Sequence, residues 1–190
     1  MKKDIILAGV GGQGILSIAA VIGHAAIKEN LFIKQAEVHG MSQRGGDVQS
    51  HLRISSEPIA SDLIPRGGAD LVISLEPMEA LRYLTFLAPD GWIVTNTVPF
   101  KNIPNYPDEA GIMAELKARK NVILLDVDEL ARQAGSPRSS NIALLGACSA
   151  LLDIAPTELE AGISEIFARK GDKILEANLA AFRAGAAAAR

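Results

Sequence analysis

The stretch IILAGVGGQGILSIAAVIGHAAIK, residues 5–28, decides the fold. Ile5 to Ala8 is a continuous apolar run closing on Gly9, the pattern of a buried strand. Gly14 to Lys28 carries Ile15, Ile18, Ala19, Ile22 and Ala26 at helical spacing. Between them, Gly9-Val10-Gly11-Gly12-Gln13-Gly14 follows G-x-G-x-x-G at a strand-to-helix junction. Glycines let the backbone approach an anion closely, and N–H groups at a helix start point toward it. The same residues also serve a tight turn that holds no ligand. The motif does not by itself specify a dinucleotide, because it carries an additional glycine and a glutamine. Glu37 follows the second expected strand at about the distance where an acidic residue holds ribose in dinucleotide folds, but it opens a polar segment unlike that connection.

Working outward, Phe32 to Ala36 reads as a second strand. Residues 37–47, EVHGMSQRGGD, read as a functional loop, with or without a short helix. Val48 to Ile54 alternates, with Val48, Ser50, Leu52 and Ile54 on one face and Gln49, His51 and Arg53 on the other. That predicts a half-exposed strand with His51 toward solvent. Ser55 to Pro58 turns the chain, and Ile59 to Leu63 is expected to return as a hairpin partner. Leu71 to Leu75 is a buried strand, and Glu76-Pro77 opens a helix running to Leu84. Trp92 to Thr95 is a strand bounded by Pro89-Asp90-Gly91. A proline-rich connection, a helix over Gly111 to Lys120 and a strand over Val122 to Leu125 follow.

From Val127 onward every periodic segment is helical: Asn141 to Leu152, Thr157 to Phe167 and Asp172 to Ala188. Alternating strands and helices predict a Rossmann-like, doubly wound α/β fold with a mostly parallel sheet, helices on both faces and a helical C-terminal segment. At 190 residues the chain is expected to form a single domain spanning 1–190. Apolar residues make up 48% but aromatics only 4%, so the core is aliphatic, as buried parallel strands require.

The formal net charge is −3 with both signs scattered, which gives nucleic-acid binding no electrostatic footing. No run has the apolar length of a membrane span or the form of a signal peptide, so a cytoplasmic location is expected, with no membrane contact. The one cysteine, Cys148, cannot supply the thiolates of an iron–sulfur cluster or a cysteine-rich zinc site. Three histidines, His24, His39 and His51, lack matched metal spacing. Cys148 and His24 read as core residues of helices. Any metal centre of the pathway is expected on another chain.

His39-Gly40-Met41-Ser42-Gln43-Arg44-Gly45-Gly46 is the most unusual segment. An arginine before two glycines can present a guanidinium beside exposed backbone N–H groups, a fit for phosphate or carboxylate. It can equally form a structural ion pair above a turn. Glu76 sits at the strand end where doubly wound folds bind ligands, and Pro77 also suits a plain helix start. Ser140 and Asn141 precede an apolar helix and read first as caps, with Asn141 also able to face the glycine loop.

GVGGQG at 9–14, EVHGMSQRGGDVQSHLRI at 37–54, SLEPMEALR at 74–82 and SSNIALLGA at 139–147 together resemble the small (beta) subunits of indolepyruvate ferredoxin oxidoreductases. These are homologous to the gamma subunit or domain of 2-oxoacid:ferredoxin oxidoreductases. The resemblance covers nearly the whole chain. It implies a Rossmann-like subunit of a holoenzyme that oxidatively decarboxylates an aryl pyruvate, with coenzyme A as acceptor and ferredoxin as electron sink. It places thiamine diphosphate, magnesium and iron–sulfur clusters on a large (alpha) catalytic subunit. The residues agree: the nearest approach to a thiamine diphosphate motif, Gly171-Asp172, is followed by an ordinary amphipathic helix.

Activity from this chain alone is therefore not expected, and no catalytic residue is assigned to it. The expected cofactor- or partner-facing set is Gly9, Gly11, Gly12, Gln13, Gly14, Glu37, His39, Arg44, Gly45, Gly46, Glu76 and Asn141. Coenzyme A phosphates and a surface of the large subunit are both candidate occupants. A stand-alone dinucleotide-binding oxidoreductase and a purely structural assembly subunit are the competing readings.

Overall fold

The computed structural model describes residues 1–39, 45–101 and 103–189, with His39 described by its backbone. Six strands form one sheet in the order β2-β3-β1-β4-β5-β6, namely β1 (Lys2–Val10), β2 (Phe32–His39), β3 (Asp47–Ser55), β4 (Ala69–Ser74), β5 (Leu87–Asn96) and β6 (Val122–Leu125). β1, β4, β5 and β6 are mutually parallel, whereas β3 runs antiparallel to both β1 and β2.

The antiparallel strand has a simple cause. β1, helix α1 (Ile15–Lys28) and β2 form a crossover that leaves one strand position vacant. The short segment between β2 and β3 can join only antiparallel neighbours. β3 therefore folds back into the gap, and its register pairs Gly9 with Val48 and Val10 with Asp47. That register brings the end of the 40–46 segment beside the glycine loop.

Alternation along β1 divides the core. Ile5 and Leu7 face α1, α5 (Ser140–Cys148), α6 (Pro156–Phe167) and α7 (Asp172–Ala188). Ile6 and Ala8 face the opposite side, with Ile64, Val72 and Tyr83. That second side is completed by α2 (Pro77–Arg82) and α3 (Glu109–Lys117), which cover Ile93 with Ala80, Ile112 and Leu116. α4 (Val127–Gln133) joins the first side through Val127 and Leu130. Each fully buried aliphatic side chain contributes about 1.5–3 kcal/mol relative to exposure. α1 buries Ile15, Ile18, Val21 and Ile22 in this way.

Helix α5 is buried over Asn141–Cys148. Its backbone touches that of α7: a Cβ at Gly146 would lie 1.9 Å from the Phe182 carbonyl oxygen, and one at Gly185 would lie 1.9 Å from that of Ala143. The C-terminal helices thus pack onto the sheet layer.

Three expectations change. Residues 59–63 do not form a strand. Arg53 donates to the carbonyls of Ser61 and Leu63, at 3.0 and 3.1 Å, and Lys34 Nζ donates to Ala60 at 3.0 Å, so side chains hold this segment. β5 extends back through Pro89-Asp90-Gly91, with the irregular register between Ala69 and Leu71 of β4 accommodating the proline. His51 is buried rather than exposed, with its Nδ1 accepting the Ile64 N–H at 3.0 Å and its ring edge-on to Phe86. The segment after β3 folds over that face and removes it from water.

Candidate functional site

Gly9 to Gly14 leave the C-terminal end of β1, and their geometry is built largely by Gln13. Its Oε1 accepts the Val10 N–H at 2.7 Å, and its Nε2 donates to the Leu75 carbonyl at 3.2 Å. A Cβ at Gly9 would lie 2.9 Å from Gln13 Oε1, so glycine there makes room for this clamp. Gln13 joins the ends of β1 and β4, the crevice where open α/β sheets bind ligands.

Gly12 and Gly14 both have positive φ, 103° and 85°. Nothing lies within 4 Å of a Cβ built on Gly12, whereas one on Gly14 would meet Asn141 Nδ2 at 2.7 Å. Asn141 Nδ2 donates to the Gly14 carbonyl at 3.0 Å, which fixes the start of α5 against the start of α1.

The two loops singled out by sequence meet. Gly11 N–H donates to the Gly46 carbonyl at 2.8 Å, and Gly45 N–H donates to the Gly11 carbonyl at 3.3 Å. The Gly11 amide is thereby committed to the neighbouring loop rather than to a ligand. Arg44 lies outside the described residues, as do residues 40–43, and for His39 the structure describes the backbone pairing with Val48.

Glu37 is not beside the glycine loop. β3 intervenes between β2 and β1, so Glu37 stands two strands away, on the order of 10 Å at ordinary strand spacing. It accepts a hydrogen bond from Gln35 Nε2 at 2.6 Å. The ribose-holding position of a dinucleotide fold is not reproduced here.

Glu76 is fully buried and turned inward. Its Oε2 accepts the Glu79 N–H at 2.9 Å, capping α2, while Oε1 accepts the Phe100 N–H at 3.3 Å and the Tyr106 hydroxyl. It therefore anchors the proline-rich strap to the sheet instead of facing a ligand. Burial, then the Glu76 carboxylate, raises the Tyr106 pKa above its ordinary value and keeps this hydroxyl a donor.

Under the strap lies a cleft of about 530 Å3, between the ends of β1, β4 and β5 and the start of α5. It is lined by Gly12, Gln13 and Leu75 from the strand ends, Val98, Pro99 and Phe100 from the strap, and Arg138, Ser140 and Asn141 from the entry to α5. Its size lies within the usual range for small-molecule pockets. Asp128 at its base accepts from Asn96 Nδ2 at 2.9 Å and from Ser140 Oγ at 2.6 Å. Sequence reasoning missed Arg138, Asn96 and Asp128. They come from separate segments, and only the proline before Arg138 marks that position locally.

Elsewhere, burial pushes the Cys148 thiol up to about 12, which leaves it an inert core group. His24 packs within α1, with Nδ1 lacking a hydrogen-bond partner among the described residues. Among those residues no group of three His, Cys, Asp or Glu side chains could hold a metal ion. No helix among them is long and apolar enough to cross a membrane.

Fold and site together define a doubly wound α/β protein whose glycine-rich strand-to-helix turn borders a cleft at the switch point of the sheet. The family described as pyruvate ferredoxin/flavodoxin oxidoreductase matches residues 4–188. The chain is 38% identical to indolepyruvate oxidoreductase subunit IorB of Archaeoglobus fulgidus, over 97% of this chain and 94% of that one. It is 36% identical to the protein of the same name in Methanothermobacter thermautotrophicus, over 100% of this chain and 98% of that one. Among solved structures, a 2-oxoglutarate:ferredoxin oxidoreductase from Magnetococcus marinus with 2-oxoglutarate, coenzyme A and succinyl-CoA bound superposes with a TM-score of 0.78 at 25% identity. That match covers 99% of this chain but 31% of the Magnetococcus chain, so this protein corresponds to about a third of that polypeptide. The chain belongs to the pyruvate ferredoxin/flavodoxin oxidoreductase family.

Proposed function

We propose that this chain, acting as one gamma-type domain over 1–190, is the small subunit of an indolepyruvate:ferredoxin oxidoreductase. The observation that carries this reading is end-to-end similarity to indolepyruvate oxidoreductase subunits, combined with the interlocked pair of loops. A large partner subunit supplies thiamine diphosphate, magnesium and iron–sulfur clusters, and electrons leave to ferredoxin. The donor set of this chain supports that division, since its single cysteine is buried away from the cleft lining. This subunit's contribution is positional. Its cleft receives part of coenzyme A, and the rim around Gly12, carrying exposed Leu16, Val98 and Phe100, meets the partner.

The test is a substrate comparison on the assembled complex with coenzyme A and ferredoxin. Indolepyruvate is expected to give a kcat/KM at least ~10-fold above pyruvate and 2-oxoglutarate, about what one well-filled apolar pocket provides. Equal or greater efficiency with pyruvate overturns the aryl assignment.

A further inference from the structure

The cleft contains one charged side chain, Arg138, whose charge no described residue pairs. Among the described residues, Arg53, Arg82, Arg119, Arg132 and Arg183 are ion-paired, and of the unpaired Arg66, Arg138 and Arg169 it is Arg138 that lines the cleft. Arg138 has no ion pair or hydrogen bond, is exposed, and lines the cleft. The nearest available acid in that lining, Asp128, has one oxygen taken by Asn96 and the other by Ser140, both uncharged donors. The guanidinium is thus left for something that enters.

Its placement is built. Arg138 sits in a 3-10 turn (Pro137–Ser139) that begins with a proline of fixed φ and runs into α5. Ser140 Oγ anchors that turn to Asp128, and Asn141 anchors it to the Gly14 carbonyl at 3.0 Å. The arginine therefore shares the cleft lining with Gly12 and with the apolar Pro99 and Phe100. An arginine in a lining that also holds a proline and an aromatic ring suits an anion carried on a flat body. Guanidinium grips phosphate through two parallel N–H···O bonds.

We propose that Arg138 is the anion anchor of this cleft, holding a phosphate at the nucleotide end of coenzyme A while the adenosine lies toward Pro99 and Phe100. This rests on the coenzyme A reading above and assigns it a residue. A carboxylate of the 2-oxoacid is the other source of an anion on a flat body, and the experiment separates the two.

The assembled complex is compared with Arg138→Ala and Arg138→Lys versions, using adenosine 3′,5′-bisphosphate and adenosine as probes in direct titration without turnover, alongside steady-state kinetics. Arg138→Ala is expected to weaken bisphosphate binding about 10- to 100-fold, the range for losing a hydrogen-bonded charge partner, with adenosine binding unchanged. KM for coenzyme A rises by a similar factor while kcat and KM for the 2-oxoacid stay within twofold. Arg138→Lys restores part of the loss. Because the side chain has no partner among the described residues, the melting temperature is expected not to move. Unchanged bisphosphate affinity in Arg138→Ala overturns the proposal, as does a raised KM for the 2-oxoacid with coenzyme A unaffected. If the complex turns over none of the three 2-oxoacids, the functional reading fails, yet the bisphosphate titration still decides the role of Arg138.

Discussion

The Gly11 amide donates to the Gly46 carbonyl at 2.8 Å, tying the turn after β1 to the segment before β3. These residues are 35 positions apart, and the antiparallel insertion of β3 makes them neighbours. The glycine turn after β1 and the Gly45-Gly46 end of the second loop are therefore bound to each other. Of the two, the first loop lines the cleft through Gly12 and Gln13, which motivates the first prediction.

Gly12→Ala and Gly14→Ala separate strain from crowding. Both place a Cβ on left-handed backbone, which costs about 1–2 kcal/mol. Gly14→Ala also drives into Asn141 and disrupts its bond to the Gly14 carbonyl, adding about 0.5–1.5 kcal/mol. Denaturant midpoints are expected to fall in both, and further for Gly14→Ala. An equal fall in both contradicts the Asn141 contact.

Glu76→Gln tests the strap. A glutamine keeps one acceptor oxygen and turns an amide N–H2 toward a site lined by donors from Glu79, Phe100 and Tyr106. A loss of about 1–3 kcal/mol is expected, the range for a buried polar group left unpaired. Hydrogen exchange is expected to accelerate at Phe100 and its strap neighbours, while β1 and β4 keep their protection. Unchanged exchange at the Phe100 amide contradicts this anchoring role.

Gly146→Ala tests the backbone contact of α5 and α7. A helix interior ordinarily gains about 1 kcal/mol from glycine to alanine. Here the added methyl would sit 1.9 Å from the Phe182 carbonyl oxygen, so the helices must separate. Net destabilisation of at least ~1–3 kcal/mol is expected, read from thermal or urea unfolding. A stabilised variant contradicts the packing.

His51 makes stability depend on pH. Burial lowers its pKa, and Arg53 adds to this, against an opposing pull from Asp62. The unfolded chain therefore binds a proton on His51 at a higher pH than the folded one does. The contribution is complete above the ordinary histidine pKa near 6.5 and is lost as pH falls toward the depressed folded value. Protonation also removes the acceptor for the Ile64 N–H. The melting temperature of the native chain is expected to fall between about pH 7 and 5, with a shallower fall for His51→Asn. Parallel slopes contradict this.

Much of this architecture was legible locally. The Ile5 to Ala8 run, the 14-residue helix after it and the C-terminal helix Asp172–Ala188 follow from apolar spacing alone. The alternation of Val48, Ser50, Leu52 and Ile54 correctly marked a strand, but alternation reports one face only. It carried no information about which neighbours β3 would take, nor that the segment around Ile64 would cover His51. Proline-containing Pro89-Asp90-Gly91 read as a boundary because a bulge is a pairwise event between strands. Of the site, the glycine motif was visible as a pattern, while Gln13 as a clamp and Glu76 as an anchor depend on partners 62 and 24–30 residues away. Arg138 was invisible for the same reason: what distinguishes it from the other unpaired arginines, Arg66 and Arg169, is its place in a cleft assembled from distant segments.

The central claim is that this chain works as one part of a two-part oxidoreductase. The most direct measurement is affinity purification of the tagged full-length chain from native anaerobic extract, followed by indolepyruvate-dependent, coenzyme A-dependent ferredoxin reduction. Activity is assayed on the recovered complex, on the separated chain and on the separated partner. The account predicts co-purification of a larger thiamine- and iron–sulfur-containing subunit, with activity in the complex and none in this chain alone. Recovery of this chain without a partner, or turnover by the chain on its own, would contradict it.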